Sequence, residues 1–474
     1  MVPGYDVIIV GAGTAGCVLA ARLSEDPACS VLLLEAGPDY PASRVPADLL
    51  DGVHGPSIAT HDWGLTGHSG TRVLQLPRGR VVGGSSAVNA TFALRGSPFD
   101  YDAWRQPGWS FADVLPSFVK LESDRDFPAA VHHGAVGPVP IRRYLGAEQS
   151  ALAAAAIEGL QATGIPGIAD HNAPYAVGVA PLPVNALDGR RMSTALTHLE
   201  PARTRPNLRI RGNAQVAEIL MTAGGASGVR LADDEIIPAG EVVVSAGTYH
   251  TPGLLRRSGI RLPDVGMNLI DHPAVSVDLP YHGPPQDVPP FQLVATLHSS
   301  MADPVTDPPD LQILVAGSFP TGDHPARHVS FVGAALLNPL SRGQVQGGID
   351  LNYFDDQDDL PRLVEASGRV EATISSAALR KLGGAERLEP RPANPIELHA
   401  WIKANVWSYH HPVGTCAMGA VVDEHCRVLG VDGLAVVDAS NEISRVARIS
   451  GRLGQQRPAG SALEESGSLS GEAY

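Results

Sequence analysis

The chain has 474 residues, 44% of them hydrophobic and 18% charged, which is the composition of a soluble globular protein large enough for two or three packed units. A formal net charge of −15, with only Lys120, Lys381 and Lys403 as lysines, argues against nucleic acid or an anionic membrane as partner, because both need clustered cations. Cys17, Cys29, Cys416 and Cys426 form no CxxC pair and no metal-ligand spacing, and neither a signal peptide nor a long apolar run is visible, so a cytoplasmic protein with reduced thiols, no metal and no membrane span is expected.

Val7-Ile8-Ile9-Val10 is a short apolar run rich in β-branched residues and predicts a buried parallel strand. Gly11-Ala12-Gly13-Thr14-Ala15-Gly16 follows at once, and Cys17 to Leu23 reads as a helix. A second apolar run, Val31-Leu32-Leu33-Leu34, ends at Glu35 and Ala36. In this order Gly11 permits a tight turn, Gly13 lets the backbone approach a pyrophosphate, and Gly16 lets helix and strand pack closely. The helix start at Thr14 and Ala15 offers unpaired N–H groups and a partial positive charge to phosphate. Glu35 is placed to accept both hydroxyls of an adenosine ribose and to repel a 2′-phosphate, which leaves FAD or NAD rather than NADP.

From Pro77 to Gly96 the chain reads PRGRVVGGSSAVNATFALRG. This stretch resembles the first signature of the glucose–methanol–choline oxidoreductases, an FAD-dependent family. The resemblance implies that Gly83 and Gly84 lie against the flavin and that Asn89, Ala90, Thr91 and Phe92 supply backbone groups around its ring. Some members tether the flavin through a histidine just before the asparagine. Val88 stands there in this chain, so non-covalent FAD is expected.

Farther along, Asn207-Leu208-Arg209-Ile210 leads to Val216, the position that in the family brings a backbone amide to the adenine. Val242 to Gly247, continuing through Thr251-Pro252-Gly253 to Ser258-Gly259-Ile260, is similar to the second signature, a strand and helix near the pyrophosphate. Gly266-Met267-Asn268-Leu269-Ile270-Asp271-His272-Pro273 is similar to the motif closing the N-terminal half, where His272 reads as a structural turn residue. Beyond it, Leu311-Gln312-Ile313-Leu314-Val315 and His328 to Val332 read as strands of an antiparallel sheet with one face packed on a core. Aromatic residues are few in this segment, and the substrate is not legible from it.

Tyr409-His410-His411-Pro412-Val413-Gly414-Thr415 is the third block of resemblance. It implies that His411 faces the reactive edge of the flavin and accepts the proton of an alcohol as hydride leaves its carbon, a task suited to an imidazole titrating near neutrality. His410 then touches the flavin, and Asp438 and Ala439 carry backbone contacts to it. After Ser440 the resemblance stops. The second catalytic histidine or asparagine and the closing helix of the family are not found, and the Gly-, Ser- and Gln-rich remainder reads as disordered. A frameshift would explain so sharp a break.

The expected architecture is α/β: a Rossmann-like FAD-binding domain at 1–273, an α+β substrate domain on an antiparallel sheet at 274–404, a return to the FAD domain at 405–441, and an atypical tail at 442–474. The expected activity is oxidation of a small-molecule alcohol to a carbonyl, with oxygen, a quinone or a redox carrier open as electron acceptor. The alternative is a flavin-binding remnant lacking the second catalytic group.

Overall fold

The apolar run after Tyr5 forms strand β1 (Tyr5–Val10), the segment after the Gly-rich turn forms helix α1 (Thr14–Leu23), and the second run forms β2 (Val31–Leu34). These coordinates are a computed structural model that describes residues 4–281, 288–321, 324–382 and 391–442, so the expected tail beyond Glu442 lies outside the described residues. The other elements that frame the site follow in chain order. They are α2 (Phe111–Leu121), α3 (Ala151–Ala162), β3 (Gly178–Pro181), β4 (Leu208–Arg211), β5 (Val216–Thr222), β6 (Gly225–Leu231), β7 (Ile236–Val244) and α4 (Thr251–Arg257). Then come β8 (Pro273–Tyr281), β9 (Phe291–Leu297), β10 (Leu311–Thr321), β11 (His324–Leu336), α5 (Asp359–Ile374), α6 (Pro395–Asn405), β12 (Trp407–Ser408) and β13 (Leu434–Val436).

The first sheet has the order β4–β2–β1–β7–β6–β5, with β13 also paired to β7. Strands β4, β2, β1, β7 and β13 run parallel, while β5, β6 and the start of β7 form an antiparallel meander. Both faces of the parallel part are covered, which is why Val7, Ile8, Ile9 and Val31 to Leu34 are all buried without alternation.

The second sheet, β12–β8–β11–β10–β9–β3, is antiparallel throughout. Its strands show the period of two that a half-covered sheet imposes. Val275, Val277, Leu293, Ala295, Leu311, Ile313 and Val315 pack with Leu152, Leu160, Leu363, Val370 and Ile402 of α3, α5 and α6 in one buried core. Intervening residues such as Ser276, Gln312 and Leu314 turn to the opposite face, toward the first unit. Helix α3 and strand β3 pack in this second unit although they precede residue 274, so the chain enters it more than once.

Among the described residues no helix is long and apolar enough to cross a membrane. The four cysteines are buried and not joined in disulfides.

Candidate active site

A cavity of about 820 Å³ opens between the two units, at the C-terminal ends of the parallel strands. Ligands of open parallel sheets bind at this edge, and the volume is at the upper end of the roughly 300–1,000 Å³ range of small-molecule sites. Gly11, Gly13, Thr14, Ala15, Glu35, Ala36, Gly84, Asn89, Ala90, Phe92, Val216, His410, His411, Asp438 and Ala439 all reach its wall. Of the residues expected at the site, Gly16, Gly83 and Thr91 stand just behind it.

At one end the wall is mostly backbone. A side chain at Gly16 would run into the carbonyl oxygen of Gly11, so glycine is what lets α1 start against β1. Gly13, by contrast, faces open space: a Cβ there would meet only the Ser245 carbonyl oxygen, at 3.9 Å. Helix α1 begins with no capping side chain and no acid in its first turn, leaving its first N–H groups for an anionic ligand.

Glu35 is buried and accepts from the backbone N–H of Ala12 (3.0 Å) and of Gly37 (2.8 Å). Burial raises its pKa to about 7 against these hydrogen bonds. Asp438 takes the N–H of Gly247 (2.8 Å) and the hydroxyl of Thr251 (2.6 Å), fastening the loop after β13 to the start of α4. A glycine floor, an uncapped helix start and a buried acceptor, in that spatial order, fit a dinucleotide such as FAD.

The histidine pair stands at the other end, organised by a side chain that sequence reasoning passed over. Asp271 is buried and accepts from four donors: the backbone N–H of His411 (2.8 Å) and of His272 (2.9 Å), the phenol of Tyr353 (2.9 Å) and the hydroxyl of Ser408. Burial raises its pKa, and the Ser408 bond and the Arg78 charge pull it back. The half-buried His411 ring packs edge-on against Tyr409 at 4.9 Å and His272 at 5.3 Å, which sets its orientation. His272 is fully buried, in keeping with the structural role expected of it.

His410 adopts φ of +66°, uncommon for a residue with a Cβ, and this turns neighbouring histidines to different directions. Its pKa is held down to about 3, by the surrounding protein first and then by the charges of Arg78 and His411, so its ring is neutral near pH 7.

The facing wall is made of side chains from the second sheet. Ser276, Phe291, Gln312, Leu314, Phe331 and Trp407 reach it from five different strands, and Phe92 joins them by packing edge-to-face on Phe291 at 5.2 Å. Aromatic residues are scarce in the sequence but are gathered here. Only the register of the strands brings them together, which is why no local motif announced them.

Beside the cavity, where the units meet, lies a buried ionic cluster. His133 bonds Glu122 through Nδ1 (2.7 Å) and Asp170 through Nε2 (2.8 Å), while Arg95 pairs with Glu122 and Arg143 with Asp124 and Asp170. Burial alone would lower the His133 pKa, but the bonds to Asp170 and Glu122 outweigh it and raise it to about 9. Next to Asp170, His171 reaches the carbonyl oxygen of Val294 on β9 at 2.9 Å.

Residues 5–274 match the N-terminal domain of the GMC oxidoreductases and residues 337–443 the C-terminal domain. The 5-(hydroxymethyl)furfural oxidase of Methylovorus sp. (strain MP688) is 33% identical, over 92% of this chain and 94% of its own. The mitochondrial choline dehydrogenase of Homo sapiens is 31% identical, over 92% of this chain and 85% of its own. The crystal structure of pyridoxine 4-oxidase from Mesorbium loti superposes with a TM-score of 0.83 at 29% identity, covering 94% of this chain and 95% of that one.

Proposed function

Because this chain belongs to the GMC oxidoreductase family of FAD-dependent alcohol oxidoreductases, we propose that it oxidises the CH–OH group of a small-molecule alcohol to a carbonyl with His411 as general base. The observation that carries the reading is the placement of His411. It lines the same cavity as Glu35, its backbone anchored by the buried Asp271 and its ring packed by Tyr409 and His272.

Gly11, Gly13, Thr14 and Ala15 would hold the pyrophosphate of FAD, Glu35 its adenosine ribose, and Gly84 and the 89–92 loop its ring. Val88 at the cavity wall offers no nucleophile for a covalent tether, so the cofactor is held non-covalently. Bound FAD supplies the acceptor for a hydride. The O–H bond of the alcohol breaks as its proton moves to a ring nitrogen of His411. The C–H bond breaks with its electron pair leaving as hydride, and the carbon–oxygen double bond forms between them. His410, with its pKa held down to about 3, is a poor proton acceptor, which leaves that role to His411, and the apolar second-sheet wall excludes water from the reacting carbon.

The test is the visible spectrum of the purified holoprotein before and after anaerobic addition of a panel of primary and secondary alcohols. Bleaching of the flavin with one carbonyl formed per flavin is expected. Flavin that binds but that no alcohol reduces would overturn the assignment and identify a flavin-binding remnant instead.

A further inference from the structure

Gln312 is the polar exception on the cavity face of β10. Its side chain is 2% exposed, and its Oε1 accepts a hydrogen bond from the Tyr409 phenol at 2.8 Å. The residue lines the cavity, and its Nε2 is buried with no hydrogen-bond partner among the described residues. Buried amide donors are almost always satisfied in folded proteins, so an unmet one in the wall of a ligand cavity marks where a ligand supplies the acceptor.

The surroundings restrict what that ligand is. Phe92, Phe291 and Phe331 form flat apolar walls, with Phe291 meeting Phe331 edge-to-face at 6.1 Å, and Trp407 adds a ring whose indole N–H also has no hydrogen-bond partner among the described residues. None of the described cavity-lining residues on β8 to β12 is charged. A cation lying against this sheet would meet no carboxylate from it, the lining Glu122 and Glu442 coming from other segments, which disfavours a quaternary ammonium despite the aromatic rings.

Tyr409 connects this end to the chemistry, since its phenol lies on Gln312 while its ring packs on His411 at 4.9 Å. A substrate whose hydroxyl is at His411 therefore presents its opposite end to the amide, about one aromatic ring away.

We infer that Gln312 is a specificity-determining residue and that the substrate is an uncharged, ring-bearing primary alcohol with a hydrogen-bond acceptor across the ring from its CH–OH group. The inference rests on alcohol oxidation at His411. Gln312 selects among alcohols by donating Nε2–H to that acceptor, while its Oε1 is held by the Tyr409 phenol.

Anaerobic reduction and steady-state turnover of the full-length holoprotein test it, with 4-methoxybenzyl alcohol, the shape-matched 4-ethylbenzyl alcohol, and choline. The ratio of kcat/KM between the methoxy and ethyl substrates is expected to fall about tenfold in Gln312→Met, because only the methoxy oxygen loses a partner and ring electronics cancel in the comparison. Choline is expected to be at least about a hundredfold poorer than either aryl alcohol with the wild-type chain. Gln312→Glu keeps an acceptor for Tyr409 and exchanges the donor for a carboxylate. It is expected to lower the methoxy preference and to raise choline turnover, and it decides the matter if the methionine variant fails to hold flavin. An unchanged methoxy-to-ethyl ratio in both variants, or choline as the best substrate of the wild type, would overturn the role of Gln312 while alcohol oxidation stands. Flavin that none of the alcohols reduces would overturn both.

Discussion

On the cofactor side the cavity wall is main chain, whereas on the substrate side it is side chains. Gly11, Gly13 and Gly84 bring backbone to the surface within short stretches of sequence, with Gly16 just behind them, and the constraint is steric: Cβ atoms at Gly11, Gly16 or Gly84 would collide with neighbouring backbone. Across the cavity, Ser276, Phe291, Gln312 and Phe331 come from four strands whose pairing alone decides which residues face inward. A one-residue slip of β10 would present Ile313 in place of Gln312. The first wall is rigid and intolerant of added atoms, and the second is adjustable residue by residue. One scaffold can therefore keep a cofactor while its substrate changes.

The comparison breaks most completely at Gly16. Gly16→Val is expected to abolish flavin binding and to destabilise the fold by several kcal/mol, since α1 cannot move off β1 without opening the core. Flavin absorbance per mole of purified protein and a urea melt measure it, and a soluble variant with full flavin content would show that the cofactor wall is not steric.

Asp271 joins the two walls. Asp271→Asn keeps the shape but loses an acceptor for buried donors, so a destabilisation of about 1–3 kcal/mol is expected. Flavin reduction by alcohol should slow by roughly ten- to a hundredfold as the His411 backbone loses its anchor. Flavin content should be retained, because Asp271 is not on the cavity wall. Loss of flavin at an unchanged reduction rate in the remaining holoprotein would place Asp271 on the cofactor side instead.

An effect on stability alone is expected at the ionic cluster where the walls meet. The folded-state pKa of His133, about 9, lies above the ordinary histidine value of 6.5. Its contribution to stability is therefore complete below about pH 6.5 and is lost as pH rises through 9. The melting temperature should fall between pH 7 and pH 10 more steeply in the wild type than in His133→Gln, and parallel curves would contradict this reading.

The contrast between the walls also governs what could be read from the chain. The Gly-rich turn, its flanking strands and Glu35 are contiguous, so the parallel unit is legible in the sequence and a place for the cofactor can be expected from it. His411 is marked by its neighbours in Tyr409-His410-His411-Pro412, again a local signal. Asp271 lies inside the motif that closes the N-terminal half, but nothing local says that its carboxylate will collect donors from Tyr353 and Ser408 far away in the chain. Gln312 lay inside a run read correctly as a strand. Which face of that strand looks into the cavity depends on β9 and β11, whose register no short motif encodes.

The most direct test of the account compares wild type and His411→Asn, both purified with flavin bound, in anaerobic reduction by a single alcohol that bleaches the wild type. With flavin content matched, the account predicts reduction slowed by roughly a hundred- to ten-thousandfold in the variant, the usual worth of a general base. Reduction of His411→Asn at the wild-type rate would contradict it and move the proton to another group.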